Sequence, residues 1–533
     1  MPRIRFTALS VLGALLALIG LVGGAYATSR LLSVGETRPE RKLMQAYSSG
    51  WTQPSLTQLG FMEQAQQPKL LSYVPTYYKD VKPILDRNCT GCHTDGGIGP
   101  FALDDPKKAV QHARAAQFAV QSKRMPPWLP GGDSPAFRDE LKLSDDDIAI
   151  IANWAWAGAP LGKTSDAGAA NASTSNAKPD LTLDLGTDFR PNAKLTDEYR
   201  CFVLDPGVTT ERFLSGYGIQ PGNATVVHHV LLFQVTGDLA KQARELERKA
   251  DGRGGYECFG GPGVGVDFVA RFRGQTSTSN VGYIGAWTPG SSTVNYPDGT
   301  GVLLKSGDQI IVQMHYNMIS EASKNAVDRT KARLYFAPQG EKRRGIRPFV
   351  TVAPVEIACP NGHIDARGDR CNRDAAYDRV MDYQEANLTQ VLRDGLLTTF
   401  CKQPLERFKA NRSGVTTSSC EFQLGSDRTV FGVQGHMHLL GRSIRVETNP
   451  DDPKRRRVVL DIPRWDFHWQ SGYWLKEPFD INKGDAVRVT CTHDNTVQNQ
   501  PWIDGKQQTP RYMVWGEGTT DEMCIAALYT AFR

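Results

Sequence analysis

Five consecutive residues, Cys89-Thr90-Gly91-Cys92-His93, have the spacing that attaches a c-type haem. The two thiols add to the porphyrin vinyl groups, and the adjacent imidazole is placed to ligate the iron. A thioredoxin-like dithiol also uses Cys-x-x-Cys, but the immediate histidine and the lack of a surrounding βαβ pattern weigh against it. Met125, in Arg124-Met125-Pro126-Pro127-Trp128, lies 32 residues beyond His93 after an expected helix and is the preferred second axial ligand. His112, within that helix, is its competitor.

Of ten histidines, eight lie beyond this region, and five of those fall into three compact motifs. These are His228-His229 before Val230-Leu231-Leu232-Phe233, His315 in Gln313-Met314-His315-Tyr316-Asn317, and His436-Met437-His438. Residues two apart on a strand share a face, so His436 and His438 can reach one metal. Adjacent residues point opposite ways, so His228 and His229 share a metal only at a strand end or bulge, which the turn at Pro221-Gly222-Asn223 could supply. A lone strand histidine is usually just hydrogen-bonded. Three such motifs together exceed what scattered structural histidines offer.

The elements that must hold these residues change character along the chain. From 71 to 161 the pattern is helical, with stretches at 107–123 and 144–157; the second opens Ser144-Asp145-Asp146-Asp147, an N-cap and an acidic first turn. Residues 162–180 are mainly Ala, Ser, Asn, Thr and Gly, the composition of a flexible linker. Beyond 181, alternating runs at 226–235, 308–317, 443–448 and 486–492 are separated by Gly, Pro, Asn and Asp, as in antiparallel sandwiches. Residues 181–533 exceed one sandwich, so two are expected, at 181–345 and 346–533, with a cysteine-rich, loop-like insertion at 359–420. The expected fold is therefore mainly β: two tandem antiparallel β-sandwiches preceded by a small all-α cytochrome c domain.

Arg3, Arg5, an apolar run over 8–22 and Ala25-Tyr26-Ala27 read as a signal peptide over 1–27, followed by a polar lead-in at 28–70. An uncleaved anchor is the rival, but the run is short of the roughly 20 residues a span needs. No later segment is apolar enough to cross a bilayer. Ten cysteines less the haem pair leave eight, which in an exported protein suggests four disulfides of open pairing. The address is periplasmic or secreted, in a bacterium. With a net charge of +5 over 533 residues and no basic stripe, nucleic acid is excluded as a partner.

The segment around Met125 resembles the small class I cytochrome c domains, in which a loop methionine returns to cap the iron. Residues 181–533 resemble the copper type II, ascorbate-dependent monooxygenase family, which includes dopamine β-monooxygenase and the peptide amidating monooxygenase. The motifs that carry it occur in the family's order: His228-His229-Val-Leu-Leu-Phe, Trp287-Thr-Pro-Gly290, Gln313-Met-His315-Tyr, His436-Met-His438-Leu-Leu-Gly441 and Asp521-Glu522-Met523-Cys524. The resemblance implies jelly-roll-like sandwiches holding two separate copper ions. His228, His229 and His315 would hold an electron-storage copper, and His436, His438 and Met523 the copper that meets oxygen and substrate. A thioether ligand selects Cu(I) and is poor for zinc; without the resemblance Met523 reads as a core residue. The resemblance also pairs Cys491 with Cys524, and by similar position Cys201 with Cys258. The amidating enzyme grips a peptide carboxylate with residues whose places here hold Gln434, Ile525 and Ala527, so peptide amidation is disfavoured and a less polar pocket is expected.

The function so implied is copper-dependent hydroxylation of an activated C–H bond of a small organic substrate by O₂, with electrons delivered through the fused haem. An external donor, ascorbate or a periplasmic redox protein, is implied. A carrier on a flexible linker raises its effective concentration near the copper. The rival from another class is a non-catalytic haem and copper electron-transfer or copper-binding protein, and a zinc hydrolase is a third reading. His112, His363, His468 and His493 have no assigned role. Cys359 with His363, and Cys491 with His493, lack the methionine of a blue-copper site, and the run 260–265 is a glycine-rich loop with no phosphate-binding ending.

Overall fold

A computed structural model describes residues 67–94, 99, 101–138, 140–166, 178–258, 261–265, 281–288, 293–318, 323–362, 368–382, 386–503 and 506–533. The expected signal peptide, most of the lead-in and the linker, Pro289-Gly290 and His363 lie outside the described residues.

The N-terminal part is helical around one small core. A π-helical turn, Tyr77–Val81, runs into α1 (Lys82–Asn88), which ends at Cys89. The expected helix at 107–123 is two, α2 (Pro106–Gln111) and α3 (Ala113–Gln121), broken at His112 where φ is −101° and ψ 9°. Helix α4 (Asp145–Trp156) starts where its cap residues place it, with Ser144 Oγ accepting from the Asp147 amide at 3.0 Å. Tyr77, Val81, Ile84, Leu85, Ile151 and Trp154 close the core.

The first sandwich opens with β1 (Leu181–Asp184), β2 (Asp197–Leu204), β3 (Arg212–Gln220) and β4 (Val227–Val235). It continues with β5 (Val281–Trp287), β6 (Thr300–Leu304), β7 (Gln309–Asn317) and β8 (Lys331–Phe336). One sheet runs β1-β8-β3-β6 and the other β2-β7-β4-β5, with two-residue strands at the edges. Inward residues such as Val230, Leu232, Leu214, Val312 and Leu334 fill the space between them. One edge strand, Arg344–Gly345, pairs parallel with β6, a departure from the otherwise antiparallel pairing of the named strands. Helix α5 (Gly237–Lys249) covers the outer face through Ala240 and Ala243, beside the Cys201–Cys258 disulfide.

The second sandwich uses β9 (Arg347–Val352), β10 (Val415–Gln423), β11 (Arg428–His436) and β12 (Gly441–Thr448). It is completed by β13 (Arg457–Ile462), β14 (Gly472–Ile481), β15 (Ala486–Asp494) and β16 (Ile525–Phe532). Its sheets run β9-β16-β11-β14 and β10-β15-β12-β13. Val433, Ile444, Val446, Leu460, Val487, Val489 and Leu528 form its core, each contributing about 1.5–3 kcal/mol by leaving water.

The insertion is not loop-like. It forms α6 (Arg373–Met381), α7 (Ala386–Arg393), α8 (Leu396–Phe400) and α9 (Leu405–Ala410), tied by Cys359–Cys371 and Cys401–Cys420. Ala376 with Val380, and Leu388 with Leu392, stand four apart and bury one face of these helices in the second core. Cys491–Cys524 completes four disulfides, which fit an oxidising compartment. Phe431, Trp474 and Tyr529, on the outer face of the β11 sheet, join the first sandwich's core, so the two sandwiches share an aromatic seam. No helix among the described residues is long and apolar enough to cross a membrane.

Candidate metal centres and haem site

The first centre is built on β4 and β7. His229 pairs directly with His315, and the register slips between Val227 and His229, leaving His228 as the extra residue of a bulge. That bulge is what two adjacent histidines need in order to face the same way. The three Nδ1 atoms lie 3.2 Å from one another, close enough for one metal ion to reach all three. His315 Nε2 is bound to Asp197 Oδ1 at 2.8 Å, which leaves Nδ1 as the lone-pair face.

Asp197 also accepts from Asn317 Nδ2 at 2.8 Å, Thr519 Oγ1 at 2.6 Å and the Thr519 amide at 3.2 Å. Burial alone would raise its carboxyl, but the His315, Thr519 and Asn317 hydrogen bonds bring it down to about 2. Tyr199 stacks on the His315 ring at 4.2 Å and donates its hydroxyl to Glu517 O. Burial first, then the neighbouring imidazoles, holds His228 and His229 well below the usual histidine value, so both are neutral donors.

The second centre sits where β11 ends. His436 is the last residue of the strand, and His438 lies just beyond it, in the turn to β12. Met437 between them is fully buried in the core, so the imidazoles turn to the opposite side, with ring centroids 5.0 Å apart. Each Nδ1 is already engaged: His436 Nδ1 with Gln470 Oε1, and His438 Nδ1 with Asp521 O at 3.2 Å. The Nε2 atoms are therefore the ones left for a metal. Burial lowers His436 to about 4, against the Gln470 hydrogen bond that favours its proton. Burial and the neighbouring His436 hold His438 well below the usual value.

His436 pairs with Ile525, and continuing that antiparallel register by two places sets the buried Met523 across from His438. Glu522, fully buried, clamps the turn by accepting the His438 amide at 3.0 Å and the Leu440 amide at 2.5 Å. His493 approaches Glu522 Oε2 at 3.3 Å and the Met523 carbonyl at 3.2 Å, and so gains a structural role. The Cys491–Cys524 disulfide anchors the residue after Met523.

The two centres face each other. The His229 and His436 rings are 6.5 Å apart, and Phe467 stacks on His228 at 4.7 Å while standing edge-on to His438 at 5.8 Å. Thr288 Oγ1 donates to Gln470 O at 2.9 Å, a second link between the sandwiches beside Thr519 and Asp197. Gln434 and His436 share a face of β11 and pair with Ala527 and Ile525 of β16. Gln434 Oε1 accepts from Tyr529 at 2.7 Å, so the floor beside the second centre is apolar apart from a neutral amide whose oxygen is engaged.

Sequence reasoning missed Asp197, Gln470, Phe467 and Thr519, which come from segments with no motif of their own. Glu522 stood inside a quoted motif, and its place beside Met523 was the available signal. His468, also without a role in the sequence, is bound to Asp466 at 3.0 Å; burial opposes its charge, yet Asp466 raises its value.

The segment Cys89 to His93 forms one turn after α1, with the Cys92 and His93 amides donating to Cys89 O at 3.1 and 2.9 Å. Cys89 and Cys92 are half-buried and take no part in the four disulfides. His93 Nδ1 is bound to Phe101 O at 3.0 Å, leaving Nε2 for iron. Gly99 approaches so closely that a Cβ there would meet His93 Nδ1 at 2.6 Å. The donor set and the oriented ring fit a c-type haem. His112 is at the junction of α2 and α3 and not within a helix, its ring stacked on Phe101 at 3.8 Å, with Phe101 itself 5.0 Å from His93. Met125 follows α3, its amide donating to Ala119 O at 3.2 Å.

Residues 402–531 match the model of the copper type II ascorbate-dependent monooxygenase C-terminal domain. "DBH-like monooxygenase protein 1" of Gallus gallus is 23% identical over 320 residues, 58% of this chain and 40% of that protein. The Homo sapiens protein of the same name is 22% identical over 314 residues, with the same shares covered. The chain thus spans about 40% of the length of these curated relatives. Among solved structures, peptide:N-glycanase F is matched at 7% identity over 66% of this chain and 95% of its own, with a TM-score of 0.22. Within the second sandwich, the stretch from α9 to the end of β16 is similar to the C-terminal domain of copper type II ascorbate-dependent monooxygenases.

Proposed function

We propose that this protein is a copper-dependent monooxygenase that hydroxylates an activated C–H bond of a small organic substrate with O₂, drawing electrons through its own c-type haem. The observation that carries this reading is the pair of facing histidine centres: a triangle of Nδ1 atoms on one sandwich and a Nε2-presenting pair beside a buried methionine on the other. Copper bound at both would supply two one-electron metals, matching the two electrons a monooxygenation consumes. The name of the curated relatives, a monooxygenase, agrees with it.

In this reading His228, His229 and His315 hold the storage copper, with Asp197 fixing the His315 tautomer. His436, His438 and Met523 hold the copper beside which substrate is oxidised, with Gln470 and Asp521 orienting the imidazoles. Glu522 keeps the His438 turn rigid, because imidazoles mispositioned by about 1 Å lose rate steeply. Ile525 and Ala527 offer an apolar floor and exclude water from the substrate side. Cys89 and Cys92 hold the haem covalently and His93 ligates it. Met125 is the second ligand, while His112 is stacked on Phe101. External electrons come from ascorbate or a periplasmic redox protein. Export to the periplasm or cell exterior is part of the same reading.

The test is a panel of small molecules with activated C–H bonds, supplied with ascorbate and isotopically labelled O₂. Labelled hydroxylated product that appears only with copper bound supports the reading. Metal-dependent hydrolysis that ignores O₂ would establish the zinc alternative. A protein that binds copper and haem, passes electrons, and consumes no O₂ would be an electron-transfer protein.

A further inference from the structure

Residues 517–522 form a turn that touches the groups behind both histidine centres. Gly516 N donates to Glu522 O at 3.2 Å and Asp521 N to Gly518 O at 2.8 Å, which close it. Towards the first centre, Glu517 O accepts from the Tyr199 hydroxyl at 2.8 Å. Thr519 donates its hydroxyl and its amide to Asp197, the carboxylate that holds His315. Towards the second, Asp521 O accepts from His438 Nδ1 at 3.2 Å, and Glu522 accepts the His438 and Leu440 amides. A shift of this one turn therefore moves the supports of His315 and His438 together.

The turn is itself held by Arg511. Its Nη2 donates to Thr520 O at 2.9 Å and to Thr520 Oγ1 at 3.1 Å, and lies 3.6 Å from Asp521 Oδ1. Thr520 stands between the residue that reaches Asp197 and the residue that reaches His438. A guanidinium carries its donors in a rigid planar fork, so it fixes a backbone more closely than a point-charge ammonium does.

Arg511 is placed in turn by the cysteine-rich insertion. Tyr512 N donates to Arg370 O at 2.9 Å, and Arg379 of α6 donates to Tyr512 O at 3.0 Å. The Tyr512 hydroxyl donates to Glu356 Oε2 at 3.0 Å, and buried Glu356 also takes Arg373 at 2.7 Å and the Tyr377 hydroxyl at 2.8 Å, both from α6. Removing one partner of such a buried ion pair leaves a charge uncompensated, so the insertion stays docked. Just beyond β15, Asn495 Nδ2 donates to Arg511 O at 2.9 Å. The helical domain meets the same sandwich on β13 and β14 instead, where Gly131 N donates to Asp461 O at 2.9 Å and Phe137 bridges to Leu475.

We propose that Arg511 is a positioning residue for both metal centres: by holding Thr520 it fixes the turn 517–522, and through that turn the placement of the His315 and His438 imidazoles relative to each other. The insertion is the scaffold that keeps Arg511 at the turn, although its helices contribute none of the six proposed copper ligands. This role rests on copper at both centres, as in the proposed function.

The experiment uses the full-length protein with cupric ion at both centres and reads the magnetic dipolar coupling between the two ions by electron paramagnetic resonance. That coupling falls with the inverse cube of their separation, so it reports the spacing of the centres without turnover. Arg511→Met, which keeps the stem and removes the donors, is expected to retain both coppers and to weaken and spread the coupling. Ascorbate-driven O₂ use is expected to fall by roughly tenfold or more, because small misplacements of reacting groups cost rate steeply. Arg511→Lys should fall in between, and Arg379→Met, which loosens Tyr512, should shift the coupling the same way by less. Arg344→Met is the control. Arg344 joins the sandwiches at the other end of β11 from His436, donating to Thr429 Oγ1 at 2.9 Å and Phe532 O at 3.2 Å, so its loss should lower the unfolding midpoint and leave the coupling unchanged. An unchanged coupling in Arg511→Met, or an equal change in Arg344→Met, overturns the positioning role. If Arg511→Met does not fold, an unchanged coupling in both Arg511→Lys and Arg379→Met overturns it. Fewer than two coppers in the unmutated protein overturns this role and the proposed function together, whereas two coupled coppers that consume no O₂ overturn the proposed function alone.

Discussion

The two histidine centres use the same side chain in opposite senses. On the first sandwich, three Nδ1 atoms converge at 3.2 Å and the far nitrogen of His315 is tied to Asp197. On the second, the Nδ1 atoms are the tied ones, held by Gln470 and by the Asp521 carbonyl, and Nε2 is presented. The first is a three-imidazole cluster, complete within β4 and β7, whose donors come from a bulge and its partner strand. The second is assembled at a strand end from a turn, a buried carboxylate and a disulfide-anchored methionine. Which nitrogen carries the proton is set by the hydrogen bond behind the ring in both cases.

The largest expected effect that tests this contrast is His438→Ala. It should abolish copper-dependent O₂ use and halve the bound copper, with the first centre's copper retained on metal analysis. Loss of both ions would show that the centres are not independent.

The next effect is a pH dependence of the copper-free protein. His436 is neutral when folded down to about 4, against an ordinary value of 6.5, because it is buried. Its folded value lies below its unfolded one, so stability is intact above 6.5 and is eroded as pH falls from 6.5 towards 4. That single group accounts for at most about 3 kcal/mol. Urea midpoints measured across this window should fall less steeply in His436→Asn, and an identical slope would show that His436 does not titrate as a buried group.

Asp197→Asn acts on the first centre alone. It should weaken copper there by roughly 10–100-fold and leave the second unaffected, the usual cost of removing the group behind a metal-binding imidazole. Equal weakening of both centres in a copper titration would contradict the contrast.

The smallest effect belongs to Thr519→Val, which removes a hydroxyl of the second sandwich from Asp197 of the first. A stability loss of about 1 kcal/mol is expected, with a slight weakening of first-centre copper. Thermal unfolding with and without copper measures both.

Much of this architecture is legible in the chain. The cap at Ser144, the strands around His229, His315 and His436, and the requirement for a bulge at His228 all follow from local chemistry, because periodicity and turn residues act over a few positions. The insertion was not legible as helices, since its cysteines and glycines read as loop and its apolar i,i+4 pairs are short. The break at His112 was also hidden, because nothing in its side chain forbids a helix and the packing of its ring on Phe101 is a tertiary matter.

The sequence by itself determined which residues have the donor type and spacing proposed here for metals and haem, and that they stand on two β-rich regions and one helical one. Only the tertiary structure decided that Asp197, Gln470 and Glu522 orient those donors, that the two centres approach to 6.5 Å between rings, and that residues 128–138 fasten the helical domain to β14. Those contacts join residues up to hundreds of positions apart, such as Tyr199 and Glu517 or Gly131 and Asp461. Spacing along the chain carries information about neighbours within a strand or a turn. Partners across a sheet or a domain seam are chosen by burial and hydrogen-bond satisfaction once the whole chain has folded.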